Sequence, residues 1–159
     1  MASGDHFDLV IIGSGPGGYV AAIRAAQLGM SVACVEMDRL GGVCLNIGCI
    51  PTKALLTSAL LANEMKDGAR HGIMASDVTY DLGPAQKRSR GVADQLNKGV
   101  GHLFKKNKVT HVEGYGRLNG KGKVEVEGKD GSKTSLGAKN VIIATGSRPR
   151  DLPVLKIDF

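Results

Sequence analysis

Two of the chain's three cysteines lie close together in the segment GGVCLNIGCIPTKALL, residues 41–56. Four residues separate Cys44 from Cys49, and Lys53 follows four residues after the second cysteine. Thiol–disulfide exchange needs a thiolate of lowered pKa and a partner sulfur nearby. A helix beginning around Cys44 would offer its positive end, and if residues 49–53 are helical, Cys49 and Lys53 share a face. The segment therefore indicates a dithiol/disulfide redox pair.

Three other interpretations of the pair compete with this one. A structural disulfide that closes so short a loop stabilises little. A metal site needs further ligands, and the four histidines are scattered without ligand spacing, so no metal is predicted. Two inert, buried thiols are the third alternative. We expect Pro51 to disturb the start of a helix here, and Gly41 and Gly42 to let the chain pass close to a ligand.

A glycine-rich turn, GSGPGG at residues 13–18, matches the pattern G-x-G-x-x-G. It follows a short apolar run predicted as a buried strand, 7–12, and opens an alanine-rich stretch predicted as a helix, 19–28. A second β-branched run, 31–36, ends at Glu36, twenty-three residues after the first glycine of the turn. This order of elements predicts a βαβ unit that binds a dinucleotide.

Each residue of the turn has a predicted role. Gly13 permits the tight turn, Gly15 lets the backbone approach a pyrophosphate, and Gly18 lets the helix pack close to the strand. Free N–H groups at the helix N-terminus face the phosphates. Glu36 accepts hydrogen bonds from ribose hydroxyls, and its charge disfavours a 2′-phosphate. The motif by itself does not separate FAD from NAD.

The rest of the chain predicts the elements that position these residues. A helix follows the cysteine segment and ends near Gly68, and a longer helix has Pro84 in its first turn. Region 109–140 alternates β-type runs with turn residues and predicts a small antiparallel meander. Residues 140–147, NVIIATGS, predict a buried strand that ends in a turn. The fold class is therefore α/β, with a Rossmann-like parallel sheet plus the meander. The predicted apolar stripe of the longer helix is Val92, Leu96, Val100 and Leu103.

Composition limits the classes of function. The 159 residues suffice for one domain with a core. The net charge of +6 comes from lysines spread through polar segments, and aromatic residues are scarce, so nucleic-acid binding is not predicted. No apolar run of membrane-spanning length and no secretory signal is apparent, which predicts a cytoplasmic protein without a membrane partner. Cys34 is predicted as a small buried hydrophobe, and His111 with Glu113 is disfavoured as an acid–base pair.

The motifs together resemble the FAD-binding region of the flavin disulfide reductases: GSGPGG, then Glu36, then GGVCLNIGCIPTK, then ATGS at 144–147. The residues around the cysteines and the helix sequence GGYVAAIRAAQLG most resemble the dihydrolipoamide dehydrogenase family. Glutathione and mercuric reductases generally read C-V-N-x-G-C-V-P, where this chain has Leu45, Ile50 and Thr52, and they are kept as alternatives. A nucleotide-binding module without turnover is a further alternative. Val43 departs from the threonine of many members.

The resemblance implies specific roles for the redox residues. Cys44 is the exposed interchange thiol that attacks the disulfide substrate, Cys49 forms a thiolate against the flavin, and Lys53 lies near the reactive edge of the flavin. The implied cofactors are FAD in this region and NAD in a later one. The implied FAD contacts are Gly13, Gly15, Gly17, Gly18, Glu36, Met37, Gly42, Val43, Cys44, Lys53, Tyr115, Gly116, Ala144, Thr145, Gly146 and Ser147.

The resemblance also implies a reaction and a domain plan. Family members oxidise dihydrolipoyl groups on the acyltransferase subunits of 2-oxoacid dehydrogenase complexes, pass the electrons through FAD to NAD⁺, and form homodimers. Residues 1–150 are expected to be an incomplete FAD-binding domain, and 151–159 the start of the crossover to an NAD domain. The family's second glycine fingerprint and its late His–Glu pair are not found in this sequence. The 159-residue chain is therefore expected to lack lipoamide turnover by itself.

Overall fold

A computed structural model describes residues 6–154. Residues 1–5 of the first predicted domain and 155–159 of the predicted crossover lie outside the described residues. The elements, in chain order, are β1 (His6–Ile12), α1 (Pro16–Gln27), β2 (Val32–Glu36), α2 (Gly42–Asn46), α3 (Cys49–Lys66), a short 3₁₀ helix (Gly68–His71), α4 (Leu82–Lys106), β3 (Thr110–Glu113), β4 (Tyr115–Leu118), β5 (Lys123–Glu127) and β6 (Lys133–Ile143).

The strands form one mixed sheet in the order β3-β2-β1-β6-β5-β4. β3, β2, β1 and β6 are mutually parallel, whereas β6, β5 and β4 are antiparallel. β1 and β2 are covered on both faces, which explains why both segments are continuous apolar runs. The predicted class, a parallel α/β sheet with a small antiparallel meander, is confirmed.

The division between the parallel sheet and the meander differs from the prediction in two places. β3 pairs in parallel with β2, so the first strand of the region predicted as a meander belongs to the parallel part. β6 is one long strand whose first half pairs antiparallel with β5 and whose second half pairs in parallel with β1. A β-type run in a sequence does not identify its neighbour, because pairing depends on contacts distant along the chain.

Two apolar clusters cover the two faces of the parallel strands. On one face the meander packs against β1 and β2, with Val124, Val126 and Leu136 among the buried side chains. On the other face α1, α2 and α4 pack against the same strands, with Ala22 and Phe104 fully or almost fully buried. The site described below lies where the helical layer meets the carboxyl ends of the strands.

α4 runs without interruption from Leu82 to Lys106 despite its internal glycines. Its N-cap, Asp81, accepts a hydrogen bond from Gly83 N–H, and Pro84 lies in the first turn as predicted. The predicted apolar stripe is only partly correct: Val100 is buried, but Leu96 and Leu103 are 41% and 39% exposed. The buried face lies further round the helix and carries Ser89, Ala93, Val100 and Phe104.

A polar cluster ties together the strand ends opposite the site. Asp8 on β1 accepts hydrogen bonds from the Lys139 ammonium group (2.7 Å) and from both the backbone N–H and the hydroxyl of Ser31 (2.8 Å each). These bonds hold the pKa of the Asp8 carboxyl well below its usual range. The cluster therefore stabilises the fold only while this carboxyl is ionised.

Among the described residues, one stretch, Gly42–Lys66, is long and apolar enough to cross a membrane by length and composition alone. An 18-residue window within it has a mean hydropathy of 1.4 and is 22% buried. The expectation that the chain has no apolar run of membrane-spanning length is therefore corrected. The stretch comprises α2 and α3, with a break at residues 47 and 48. A single stretch of this kind is weak evidence for a membrane span, because core helices of globular proteins pass the same test.

Candidate functional site

The predicted site residues follow the carboxyl ends of three adjacent parallel strands. Gly13 follows β1, Glu36 ends β2 and Ala144 follows β6. Gly13 N–H donates to Val35 O and Ala144 N–H donates to Ile12 O, both at 2.8 Å, which extends the pairing past the strand ends. Ligands of open α/β sheets bind in the crevice outside these ends. The fold therefore places the glycine turn, the acidic residue and the ATGS segment at one edge.

Packing inside the chain requires two of the turn glycines. Gly13 has a φ of 97°, and a Cβ there would overlap the carbonyl of Ala144. A Cβ on Gly18 would overlap the carbonyl oxygen of Gly13, so only glycine lets the helix approach the strand this closely. These contacts support the predicted structural roles of both residues.

Packing does not explain the other two turn glycines. Among the described residues, a Cβ on Gly15 or Gly17 would meet no atom within 4 Å. Gly15 is the N-cap of α1, which begins at Pro16, three residues earlier than predicted. Gly15 and Gly17 thus lie beside the first N–H groups of the helix, and no contact between described residues requires glycine at either position. Glycine at these positions suits the close approach of a bound phosphate group.

Glu36 is buried, 9% exposed, and its carboxylate is held by backbone and side-chain donors. Oε2 accepts from Ser14 N–H at 2.9 Å and from the Ser14 hydroxyl at 2.7 Å, and Oε1 accepts from Asp38 N–H at 3.0 Å. A carboxylate offers about four acceptor positions, so roughly one remains for a further donor. Ser14 itself is fully buried. Sequence reasoning missed Ser14, because the second position of the turn carries no residue preference in the motif.

The two cysteines form a disulfide, Cys44–Cys49, with a Cα–Cα distance of 4.7 Å. Cys44 lies within α2 and is partly buried, whereas Cys49 is exposed, so the expectation that Cys44 is the exposed thiol of the pair is wrong for this structure. This excludes the interpretation of the pair as two buried free thiols. Among residues 6–154 no group of three or more His, Cys, Asp or Glu side chains could hold a metal ion.

The helix that matters to the disulfide begins at Cys49. α2 has only five residues, whereas α3 has eighteen and its first residue is Cys49. A thiolate at a helix N-terminus is stabilised by the free N–H groups and the helix dipole. Lys53 lies one turn further along α3, as predicted, and is exposed. The expected disturbance by Pro51 is wrong, because the third position of the helix needs no intrahelical N–H donor.

The disulfide segment is in direct contact with the glycine turn. Gly41 N–H donates to Ser14 O at 3.0 Å and lies 3.3 Å from the Ser14 hydroxyl oxygen. Gly42 has a φ of 59°, and a Cβ there would lie 2.8 Å from Gly15 Cα. The two glycines therefore bring α2 against the turn, so the predicted dinucleotide site and the predicted redox pair form one site.

Other predicted contacts lie around this crevice. Gly114 N–H donates to Glu36 O at 2.9 Å, which brings the start of β4 beside the end of β2. A Cβ on Gly116 would lie 3.0 Å from Ile12 Cγ2, so Gly116 is close to the same strand ends. Six other residues predicted to contact the cofactor are exposed: Met37, Val43, Tyr115, Thr145, Gly146 and Ser147.

The residues predicted to be structural behave as expected where the structure describes them. Cys34 is fully buried, and burial, followed by the charge of Glu36, raises the pKa of its thiol to about 12. His111 packs edge-on against Phe104, and its Nε2 is buried without a hydrogen-bond partner among the described residues. Glu113 is exposed. His111 lies two residues before the end of β3, whereas Glu113 ends β3 opposite Glu36, at the same edge of the sheet.

The fold and the site define a class of protein: a Rossmann-type dinucleotide-binding domain that carries a disulfide beside its glycine turn. The sequence profile described as "Pyridine nucleotide-disulphide oxidoreductase" matches residues 7–157. The chain belongs to this family.

Individual relatives agree with this assignment. Dihydrolipoyl dehydrogenase of Zymomonas mobilis subsp. mobilis is 51% identical over 154 residues, which cover 97% of this chain and 33% of that protein. Dihydrolipoyl dehydrogenase 1, mitochondrial, of Arabidopsis thaliana is 49% identical, covering 97% of this chain and 31% of that protein. The crystal structure of LpdA from Mycobacterium tuberculosis superposes with a TM-score of 0.85 at 26% identity, covering 94% of this chain and 34% of that one. The chain spans about a third of the length of these relatives.

Proposed function

We propose that the chain is the FAD-binding, disulfide-bearing part of a dihydrolipoyl dehydrogenase. The observation that carries this proposal is the contact between the disulfide segment and the glycine turn, where a Cβ on Gly42 would lie 2.8 Å from Gly15 Cα. A structural disulfide does not need to lie at the edge of the sheet where ligands bind. A redox disulfide does need to lie there, because electrons must pass between its sulfurs and a bound cofactor.

The proposed cofactor site follows the crevice from the glycine turn to the disulfide. The pyrophosphate would lie at the N-terminus of α1, where Gly15 and Gly17 leave the backbone uncovered. Glu36 would accept from the ribose through the oxygen that Ser14 does not use. The segment 144–147 and Gly116 would contact the remainder of the cofactor, with Met37, Val43 and Tyr115 at the rim. FAD, when bound, would supply a two-electron acceptor for the reduced cysteine pair, with NAD⁺ as the final acceptor.

The chemistry of the chain's own residues is thiol–disulfide exchange. A thiolate of a dihydrolipoyl group attacks the Cys44 sulfur, the Cys44–Cys49 bond breaks, and Cys49 leaves as a thiolate. The second lipoyl thiol then attacks the lipoyl sulfur of the mixed disulfide and releases Cys44. The lipoyl group is oxidised to its disulfide, and the cysteine pair has gained the two electrons. The N-terminus of α3 and the charge of Lys53 stabilise the Cys49 thiolate.

The proposal includes the context suggested by the names of the relatives. The substrate would be lipoyl domains of acyltransferase subunits in 2-oxoacid dehydrogenase complexes, and the functional protein would be a homodimer. Residues 1–150 would form part of the FAD domain, with 151–159 leading toward an NAD domain. A cytoplasmic location remains a prediction. Lipoamide turnover would require elements that the relatives carry outside the matched third.

Gly15→Ala tests the cofactor site without disturbing the fold. The new methyl group meets no atom of residues 6–154 within 4 Å, so within the described structure it affects only a group that approaches the turn from outside. We expect FAD affinity, measured by quenching of flavin fluorescence, to fall at least about tenfold while thermal stability is retained. Gly99→Ala on α4 is the matched control, because its methyl group also meets no atom within 4 Å in the part of the chain that the structure describes. Equal FAD affinity in the Gly15→Ala and parent chains, or no binding by the parent, would contradict the proposal.

A further inference from the structure

Two amide side chains hold the segment that precedes and includes α2. Asn97 Nδ2, on α4, donates to Leu40 O at 2.6 Å and to Asn46 Oδ1 at 3.4 Å. Asn46 Nδ2 donates to the same Leu40 oxygen at 3.0 Å and to Gly42 O at 2.9 Å. Asn46 is 9% exposed. Since Asn46 lies between the two cysteines in sequence, these bonds join α4 to the loop that the disulfide closes.

Two arginines of α4 reach the same segment. Arg90 Nη1 donates to Asn46 O at 3.2 Å, at the end of α2. Arg88 Nη1 donates to Ala54 O at 3.1 Å, in the second turn of α3. Carbonyl groups before, between and after the two cysteines thus each receive a side-chain donor from one helix. No motif identified these donors, although Arg90 and Asn97 are seven residues apart and so lie on one face of α4.

We propose that Asn97 is a positioning residue that lowers the reduction potential of the Cys44–Cys49 disulfide by holding in place the segment from Leu40 to Asn46, which leads into the loop between the cysteines. The inference rests on the proposed function, in which this disulfide is redox-active. When the bond is broken, the sulfurs can separate only if the backbone that carries them moves. The bonds from α4 do not involve the sulfurs, so they restrain that backbone in both redox states. They therefore keep the two thiols close together and favour the disulfide.

The expected effect follows from the redox equilibrium. In a glutathione buffer, two glutathione molecules reduce the disulfide and become one glutathione disulfide, and the two cysteines take up the electron pair and two protons. Without the Asn97 donor, the two reduced cysteines can move apart, so the effective concentration of the Cys44 thiol near the Cys49 thiol is lower. We expect the ratio of disulfide to dithiol at a fixed buffer potential to fall by roughly threefold to tenfold. A tenfold fall corresponds to a potential higher by about 30 mV.

The experiment titrates the 159-residue chain with glutathione buffers of graded potential and traps free thiols with an alkylating agent. Mass spectrometry gives the ratio of disulfide to dithiol, so the readout needs no turnover. The variants are Asn97→Ala and Asn97→Asp, the second keeping the shape of the side chain without its N–H donors. Gln95→Ala, at an exposed position of the same helix, is the control. Circular dichroism establishes that each variant is folded.

Each outcome decides the question. Higher potentials in the folded Asn97 variants, with the Gln95 variant equal to the parent, support the inference. Equal potentials in folded Asn97 variants and the parent overturn it, as does the same rise in the Gln95 variant. If Asn97→Asp does not fold, Asn97 is a folding determinant and the inference fails. A parent chain whose disulfide does not titrate reversibly contradicts the proposed function instead.

Discussion

Replacing Ser14 by alanine should destabilise the chain more than any exposed serine change. The hydroxyl is fully buried and donates to the Glu36 carboxylate at 2.7 Å. A hydrogen bond to a charged group contributes about 1.5–3 kcal/mol to stability. Glu36 retains its two backbone donors, and Gly41 N–H retains the Ser14 carbonyl, so no polar group loses every partner. We therefore expect a loss of about 2 kcal/mol in the free energy of unfolding.

Urea and thermal unfolding, followed by circular dichroism, measure this loss. For a chain of this size, 1 kcal/mol shifts the Tm by about 2–4 °C, so we expect a Tm lower by roughly 4–8 °C. Ser58→Ala is the control, because its hydroxyl lies 3.4 Å from a helix carbonyl and should change stability by less than about 0.5 kcal/mol. A double-mutant cycle with Glu36→Gln should give a coupling of at least about 1 kcal/mol. A loss in Ser14→Ala no larger than in the control would refute the reasoning.

Three further predictions each depend on one local environment. Because burial raises the pKa of Cys34 to about 12, iodoacetamide should label no thiol of the oxidised, native chain, and mass spectrometry should find one label only after unfolding. The lowered pKa of Asp8 means that its bonds stabilise the fold at neutral pH and are lost as the pH falls through that pKa. Asp8→Asn should therefore lower the Tm at neutral pH but not in strong acid. Gly18→Ala, which places a Cβ against a backbone carbonyl, should cost several kcal/mol in urea unfolding or prevent folding, whereas Gly17→Ala should cost about 1 kcal/mol or less.

The sequence predicted the parts of the site whose chemistry is local. Gly13 and Gly18 could be assigned because a tight βα turn needs glycine at fixed spacing, and the structure gives each a contact that excludes a side chain. A disulfide between Cys44 and Cys49 was one of several interpretations of the pair. It was suggested by their closeness in sequence, and the structure contains this disulfide. Lys53 followed from the helical period.

The parts that sequence patterns missed depend on contacts between distant segments. Ser14 and Asn97 act through partners 22 and 51 residues away, which no short motif can encode. The buried face of α4 was misjudged because Ser89 and Ala93 are buried while Leu96 is 41% exposed, so size and packing decided burial rather than hydrophobicity. The partner of β3 was misassigned because strand pairing depends on the whole sheet.

The central claim is that Cys49 faces a flavin held by the glycine turn. The direct measurement is the long-wavelength absorbance of the FAD-loaded chain, comparing Cys44→Ser with Cys49→Ser. Cys44→Ser leaves a Cys49 thiolate at the N-terminus of α3, and a thiolate in contact with the flavin should add a band beyond the flavin's own absorption without any reductant. We predict this band in Cys44→Ser and none in Cys49→Ser. A band in Cys49→Ser, or none in Cys44→Ser with FAD bound, would contradict the account.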